Sequence, residues 1–590
     1  MARPKAKSPK TEPESIEIQF LLHELPTAQH KAGLAGLLLE IDSMIERRDA
    51  GLLPAEVEIP KVVERSATGA VIRLGKRSVQ DLLDDVYSAE VVEVRSGTRW
   101  PNPTPKREEP NPSAGPGEPK RWFVYDVVEP SGLFLRRYME GDKATWHKLW
   151  RDMVWRVQRG RPTTRGPYNA RSKREPTTEG QAAWKELVAD EKAKAVSGER
   201  RTVELASAVM LGVQAINAEL VPFEDRADHN LLLHFWPFTA RIFVPEAIDA
   251  DGDRDYRGCG FVLAIPDVSD LTAFCRAYSR FLGDLSTRRR GYRPEDAVIS
   301  LPAQAPLEFM RHFDDLATRH VIDEGPSRFV AGVEFYHMVP VGQNVKMMAH
   351  GRIPPEDRLL TAYAGIRRSC HNPLFLSCSL QAALVDEPWF AELIGPLVER
   401  KWKFFVYSTQ ERNPTPPAMI GFAWDVDRQF RTIRERYHQM KEAEMPVESM
   451  GPDVVDSLIY DLVYQYVRER ACARSVVDRD DPDWRSKTAE ERRDVCSKLF
   501  LELRSRNDDD FVRHFTATLG SVPQWLKKPE YLAVTAALMR PYTEEVGSHR
   551  PRTRDDIKTL TLLALSAHSR SYKARGDETV PQDTEAEETE

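Results

Sequence analysis

No apolar run in the sequence approaches the roughly 20 residues that a membrane-spanning helix requires. The opening MARPKAKSPK is basic but lacks the apolar stretch of a secretory signal. A cytoplasmic protein without membrane contact is therefore expected. The six cysteines (Cys259, Cys275, Cys370, Cys378, Cys472 and Cys496) include no C-x-x-C pair. That scatter argues against finger-type zinc sites and a disulfide framework, leaving single, reduced, buried thiols. G-x-S-x-G, Walker A and G-x-G-x-x-G motifs are all missing.

Metal-ligand spacing is equally scarce. His229 and His234 fit neither H-E-x-x-H nor helical i,i+4 ligation, and RHFDD (311–315) lacks a contiguous His-Asp pair. In AIDADGDRDYRGCG (247–260), Asp249, Asp251 and Asp253 occupy calcium-loop positions. However, Arg254 stands where a glycine is needed and Gly260 where a bidentate glutamate is needed. The stretch reads as a polar turn. No catalytic residue, metal site or cofactor is expected. Two other classes compete with a non-catalytic nucleic-acid binder. One is a metal-dependent nuclease using Asp249, Asp251, Asp253 or His312; the other is a scaffold without DNA contact.

What the chain does have is length and charge. Its 590 residues exceed one core, and the net charge of −7 argues at first against nucleic acid. The last 14 residues, DETVPQDTEAEETE, hold seven acids and no base, so the remaining body is neutral and has room for basic patches.

Hydrophobic patterning predicts an α+β protein: a mixed α/β N-terminal and middle body, then an all-α bundle and a disordered acidic tail. Residues 1–13 read as a disordered basic arm and 14–95 as an α/β domain. Ile16, Ile18 and Phe20 alternate as in a strand, and 27–48 reads as a helix. Residues 96–121, with seven prolines and three glycines, read as a flexible loop. Residues 122–424 form a mixed body. Helices are expected at 143–158, 179–195, 199–219, 268–285 and 306–318, and β-rich stretches at 231–245, 260–266 and 401–408. Two strands joined at the turn VGQN are expected over 327–353. Residues 425–576 read as the bundle and 577–590 as the tail. Val454, Val455, Leu458, Ile459, Leu462, Val463 and Tyr466 share one helical face. Thr488 and Glu491 fit a capping box, and the last helix carries acids in its first turn and bases in its last.

The positive chemical signals are basic. WRVQRGRPTTRGPYNARSKR (155–174) has seven Arg/Lys and no acid, and its Gly and Pro content suggests a loop. Arg156, Arg159, Arg161, Arg165, Arg171, Lys173 and Arg174 are candidates for phosphate, with Tyr168 and Asn169 interleaved for bases. STRRRGYRPED (286–296) adds Arg288, Arg289, Arg290 and Arg293. GIRRSCHNP (365–373) is a weaker third cluster. The turn VPVGQNVK offers Gly342, Gln343, Asn344 and Lys346 as groups able to read base edges from the minor groove.

LPTAQHKAGLAGLLLEIDSM (25–44) then gives a specific likeness. Leu25, Pro26, Gln29, His30, Lys31, Ala32, Gly33, Leu34, Ala35, Gly36 and Leu37 resemble the N-terminal signature of the large subunit of type I CRISPR surveillance (Cascade) complexes, in the variant labelled MYXAN. The resemblance implies recognition of a short protospacer-adjacent motif in duplex DNA and help in opening the duplex, with sequence read by a guide RNA. It implies as partners guide RNA, target DNA, CRISPR backbone subunits and a small subunit, together with a recruited helicase–nuclease or transposition module. An internal start at Met440, Met445 or Met450 would supply a free small subunit. Within the signature Thr27 fits a helix N-cap, and Gly33 and Gly36 allow another backbone to approach. Nothing else in the sequence supplies His30 with an acid, a nucleophile or a metal partner. The Gln29-His30-Lys31 triplet thus reads as packing and as subunit or RNA contact.

Overall fold

The computed structural model describes residues 13–101, 103–112, 114–115, 119–157, 165–198, 200–205, 210–212, 223–248, 254–255, 259–341, 344–406, 417–442, 453–522, 534–536, 538 and 552–570. The basic arm through residue 12 and the tail 577–590 lie outside them. The chain divides into two compact units. Residues to Glu246 with Tyr256–Leu360 form the first, and Ala247–Asp255 with Thr361 onward form the second.

The first unit opens with β1 (Ser15–Leu21), α1 (Ala28–Asp49), β2 (Lys61–Arg65), β3 (Gly69–Gly75) and α2 (Lys76–Val86). The strands make an antiparallel sheet of order β1-β3-β2, with Ile18 opposite Ile72. Ile16, Ile18 and Phe20 all face inward, as a period of two requires. Helix α1 is buried on nearly every side from Ala28 to Met44, in keeping with the uncharged run from Ala32 to Leu39 and the lack of a continuous polar face. Such a helix needs close neighbours, and glycine provides the room. A Cβ on Gly33 would overlap the Leu232 carbonyl oxygen, and one on Gly36 would overlap that of Phe235.

Next come β4 (Ala89–Ser96), β5 (Arg107–Pro110) and β6 (Arg121–Pro130), a sheet of order β4-β6-β5. The stretch read as a flexible loop therefore contains an edge strand. Proline-rich sequence still pairs there because an edge strand can leave backbone groups unpaired. Helices α3 (Ala144–Asp152), α4 (Gly166–Ser172) and α5 (Thr178–Ser197) follow. A π-helical turn at Met153–Val157 succeeds α3, and α4 corrects the expectation of a loop throughout 155–174. The helix expected over 199–219 is replaced at its start by β7 (Thr202–Glu204), which pairs with β8 (Glu224–Arg226). Helix α6 (Ala227–Leu232) occupies the start of a stretch read as β-rich, before β9 (Arg241–Pro245).

The remaining elements are β10 (Phe261–Val268), α7 (Leu271–Gly283), β11 (Arg289–Arg290), β12 (Arg293–Pro294), β13 (Val298–Ile299), α8 (Gln304–Thr318), β14 (Val330–Val341) and β15 (Asn344–Ile353). A five-stranded sheet runs β13-β9-β10-β14-β15, with α1 and α8 packed on β10. Every residue of β10 is buried, as expected of a central strand. The 327–353 segment is the expected hairpin, and its last described pair is Val341 with Asn344.

In the second unit α9 (Pro373–Leu384), α10 (Pro417–Glu442), α11 (Asp453–Ser475), α12 (Ala489–Arg504), α13 (Asp508–Gly520) and α14 (Arg554–Ser569) share one apolar core. Leu458, Ile459, Leu462 and Val463 all lie in it, as their spacing predicted. Trp402–Phe404 is a 3-10 turn rather than the strand that 401–408 suggested, because its aromatics are drawn into this helical core. Thr488 heads α12, but its hydroxyl donates to the Trp484 carbonyl at 2.8 Å, so the expected capping box does not form. The Thr553–Asp556 capping box on α14 does. Among the described residues no helix is long and apolar enough to cross a membrane, and all six cysteines are free, five of them buried.

Candidate nucleic-acid interface

The signature triplet ties α1 to three distant segments. Gln29 is buried; its amide nitrogen donates to the Leu211 carbonyl at 3.1 Å and its oxygen accepts from the Leu211 N–H at 2.9 Å. Lys31 donates to Asp267 of β10 at 2.8 Å. His30 is fully buried, with Nε2 lying 3.1 Å from Asp225 Oδ2 and Nδ1 lying 2.8 Å from the Thr27 hydroxyl. Thr27 is the N-cap by backbone geometry, but its hydroxyl serves His30 rather than the helix. The expectation that His30 has no acid is thus corrected. Asp225 arrives from β8, far along the chain, where sequence spacing gives no signal. It also meets His229 Nδ1 at 3.0 Å. Burial alone would raise the Asp225 carboxyl, but bonds from His229, His30 and the Arg226 N–H outweigh it and hold it well below the usual carboxylate range. Gln29 and His30 have their polar groups turned inward.

The second basic cluster forms a defined surface feature. Strands β11 and β12 pair Arg290 with Arg293 across the two-residue turn Gly291–Tyr292. Gly291 has φ +59°, a left-handed conformation that suits glycine, and it places Tyr292 at the tip with 86% of its surface exposed. Arg288 and Arg289 are exposed beside it, and the ammonium of Lys148 on α3 lies 6.0 Å from the Tyr292 ring centre. The hairpin is braced from below. Trp146 Nε1 donates to the Ser286 carbonyl at 2.9 Å, Lys143 donates to that of Gly283 at 2.6 Å, and Arg290 lies 3.5 Å from the buried Glu246. Arg241 supports Trp146 in turn, its guanidinium 4.0 Å above the indole and 4.7 Å from the Phe281 ring. Burial lowers the Arg241 guanidinium to about 10, still well above neutral pH. Glu295 and Asp296 follow the hairpin in the chain and Asp142 lies beside Arg289, so the tip itself is the cationic part. Tyr292 and Lys148 escaped the sequence reading. The only signal was the Arg-Gly-Tyr-Arg order, in which glycine marks the turn.

The first cluster is divided. Arg159 and Arg161 lie outside the described residues, as does the side chain of Arg156. Arg165 stacks 4.8 Å from the Trp155 ring. Tyr168, a candidate for base stacking, is instead buried against Tyr87, with ring centres 5.1 Å apart. Arg171 turns inward to the Asp84 carbonyl at 3.1 Å and lies 3.5 Å from its carboxylate. Asn169, Lys173 and Arg174 are exposed. In the β14–β15 turn, Gly342, Gln343 and the side chain of Asn344 lie outside the described residues, while Lys346 is exposed.

Of the nuclease candidates, Asp249, Asp251 and Asp253 lie outside the described residues. His312 Nε2 lies 3.1 Å from Asp284 Oδ2, and burial, reinforced by Arg241, lowers its imidazole to about 3. Among the described residues no cluster of three His, Cys, Asp or Glu side chains is arranged to hold a metal ion.

Residues 59–322 match the Type I-B CRISPR Cas8b N-terminal domain, and residues 330–568 match the Type I-B CRISPR Cas8b C-terminal domain. The two matches run in order and together span most of the chain. The protein is therefore a large subunit of a type I CRISPR effector. It belongs to the Cas8b family of type I-B systems. Neither match extends to the narrower MYXAN variant that the α1 signature suggested. Comparison with curated proteins returns no match.

Proposed function

We propose that this chain is a non-catalytic, cytoplasmic large subunit that recognises the protospacer-adjacent motif in duplex DNA. It helps open the duplex, stabilises the R-loop, and recruits a helicase–nuclease or transposition module in antiviral defence. Within the type I-B family its α1 signature favours the MYXAN variant. Its partners are guide RNA, target DNA, backbone subunits and a small subunit, the last made from an internal start at Met440, Met445 or Met450.

The reading is carried by the Gly291–Tyr292 hairpin, an exposed ring flanked by Arg288, Arg289 and Lys148 on a rigid base. Arginine binds phosphate oxygens in pairs, and an exposed aromatic stacks on any unpaired base. The turn 342–344 with Lys346 is assigned to motif reading. The test is binding of the assembled complex to motif-bearing and motif-free duplexes. R288Q/R289Q should weaken both and lower the salt slope, whereas Q343A should relax the preference between them. Unchanged binding and slope in R288Q/R289Q would remove the hairpin from the interface. Cleavage of DNA by the purified chain with Mg²⁺ or Mn²⁺ would overturn the non-catalytic assignment.

A further inference from the structure

Helix α10 carries a run of positive charge that the proposed function does not use. Between residues 428 and 441 it holds four arginines and one lysine against one glutamate. Asp427, Arg431, Arg434 and His438 recur at spacings of four, three and four, which puts them on one face. Asp427 is buried at the foot of that face, whereas the Arg431 and Arg434 side chains are 47% and 45% exposed and His438 is exposed. Asp461 of α11 faces Arg434 at 3.3 Å, and the Tyr460 hydroxyl donates to Asp427 Oδ1 at 2.7 Å.

The described chain ends beside this face. Arg570 places a guanidinium nitrogen 2.8 Å from Asp427 Oδ2, the same oxygen that Arg431 approaches at 2.9 Å. Arg570 is itself fixed, because its guanidinium stacks 4.2 Å from the Trp424 ring and its carbonyl accepts from Arg492 at 2.7 Å. Six residues, 571–576, separate this anchor from Asp577, the first acid of the 577–590 tail. Extended chain covers about 3.3–3.6 Å per residue, so the first acids can reach ~20 Å from the anchor. Arg431 to His438 spans only ~10 Å at 1.5 Å per residue. The whole basic face therefore lies within reach of Asp577 and Glu578.

We propose that the acidic C-terminal stretch 577–590 docks on the basic face of helix α10 formed by Arg431, Arg434 and His438, where it competes with nucleic-acid phosphate. Each guanidinium has five N–H donors and accommodates more than one carboxylate. A tether this short holds the tail at an effective concentration on the order of millimolar, so a weak charge contact suffices. Competition of this kind screens out weakly bound nucleic acid and yields to a duplex engaged at several points.

The test compares the full chain with one ending at Gly576, using a single-stranded oligothymidylate and a labelled peptide of sequence 577–590 as probes. Removal of the tail should tighten oligonucleotide binding ~3- to 10-fold at low salt, and the gain should vanish at about 1 M salt, where the Debye length is ~3 Å. The peptide should bind the truncated chain, and R431Q/R434Q should weaken that binding at least severalfold. A full chain with the seven acids changed to their amides keeps the bundle intact and should behave like the truncation. Unchanged oligonucleotide affinity after truncation, or peptide binding indifferent to R431Q/R434Q, would overturn the proposal. The peptide measurement involves no nucleic acid, so its failure is separate from a failure of DNA binding itself.

Discussion

Asp225 sets one carboxylate oxygen 3.1 Å from His30 Nε2 and the other 3.0 Å from His229 Nδ1, so a single acid joins α1 to the start of α6. With the Thr27 hydroxyl on the opposite nitrogen of His30, the order resembles a nucleophilic triad. The resemblance ends at access. The His30 ring is fully buried and lines neither of two surface cavities of about 370 and 590 Å³. The hydroxyl bonds one nitrogen of the imidazole and the carboxylate lies within ion-pair distance of the other, all inside the fold, where an isolated polar group would be costly.

Replacing Asp225 with asparagine should destabilise the first unit by about 1–3 kcal/mol, since two buried imidazoles lose a charged partner. The sign with pH follows from the depressed carboxyl. Its contribution is complete above the unfolded aspartate value near 4 and is lost as the pH falls below that, toward the folded value. Urea unfolding followed from pH 7 down to pH 3 should therefore show the gap between wild type and D225N constant above about 4 and beginning to narrow below it. An equal difference at both ends of that range would show that the acid acts by shape alone.

Gly33→Ala and Gly36→Ala should each destabilise the protein by about 1–3 kcal/mol through overpacking. At an exposed helical site the same change would gain up to about 1 kcal/mol. Here the added methyl group meets the carbonyl of Leu232 or Phe235, and backbone cannot rotate away as a side chain can. Thermal melts of the two variants decide the sign, and a raised melting temperature would mean that the neighbouring segment moves freely.

Much of this framework was legible in sequence because it follows local periodicity. The alternation of Ile16, Ile18 and Phe20 gave β1, and the stripe from Leu458 to Val463 gave the buried face of α11. The close approach at Gly33 and Gly36 also followed from the residues themselves. What escaped depends on tertiary partners. Asp225 is remote from His30, Tyr168 gave up the surface to pack on Tyr87, and Arg107–Pro110 became a strand because β6 offered it an edge. Charge counting placed Arg288 to Arg293 among the candidates, but only the hairpin turn revealed that Tyr292 stands at their apex.

Asp425 predicts a pH response in the second unit. Its Oδ2 accepts from the His371 and Asn372 N–H groups at 2.7 Å each. Burial nonetheless pushes the carboxyl up to about 7. A raised acid favours the folded state most when protonated. Stability should therefore decline as the pH rises from about 4, the unfolded value, toward 7, with a slope of at most ~1.4 kcal/mol per pH unit. D425N retains an oxygen for the two N–H donors and should flatten that decline. A variant whose stability falls with pH as steeply as wild type would assign the response to another group.

Tyr292 gives the sharpest separation of binding from folding. Because 86% of its surface is exposed, Y292A should leave the melting temperature unchanged. If its ring stacks on an unpaired base, its loss should weaken binding of single-stranded DNA by about 1–3 kcal/mol without changing the salt slope, since no charge is removed. R288Q/R289Q should do the opposite, lowering the slope of log affinity against log salt by up to about two phosphate contacts. Measured together by anisotropy across a salt series, the variants distinguish stacking from charge. If Y292A alters the slope and R288Q/R289Q does not, the hairpin does not bind nucleic acid in the way its geometry suggests.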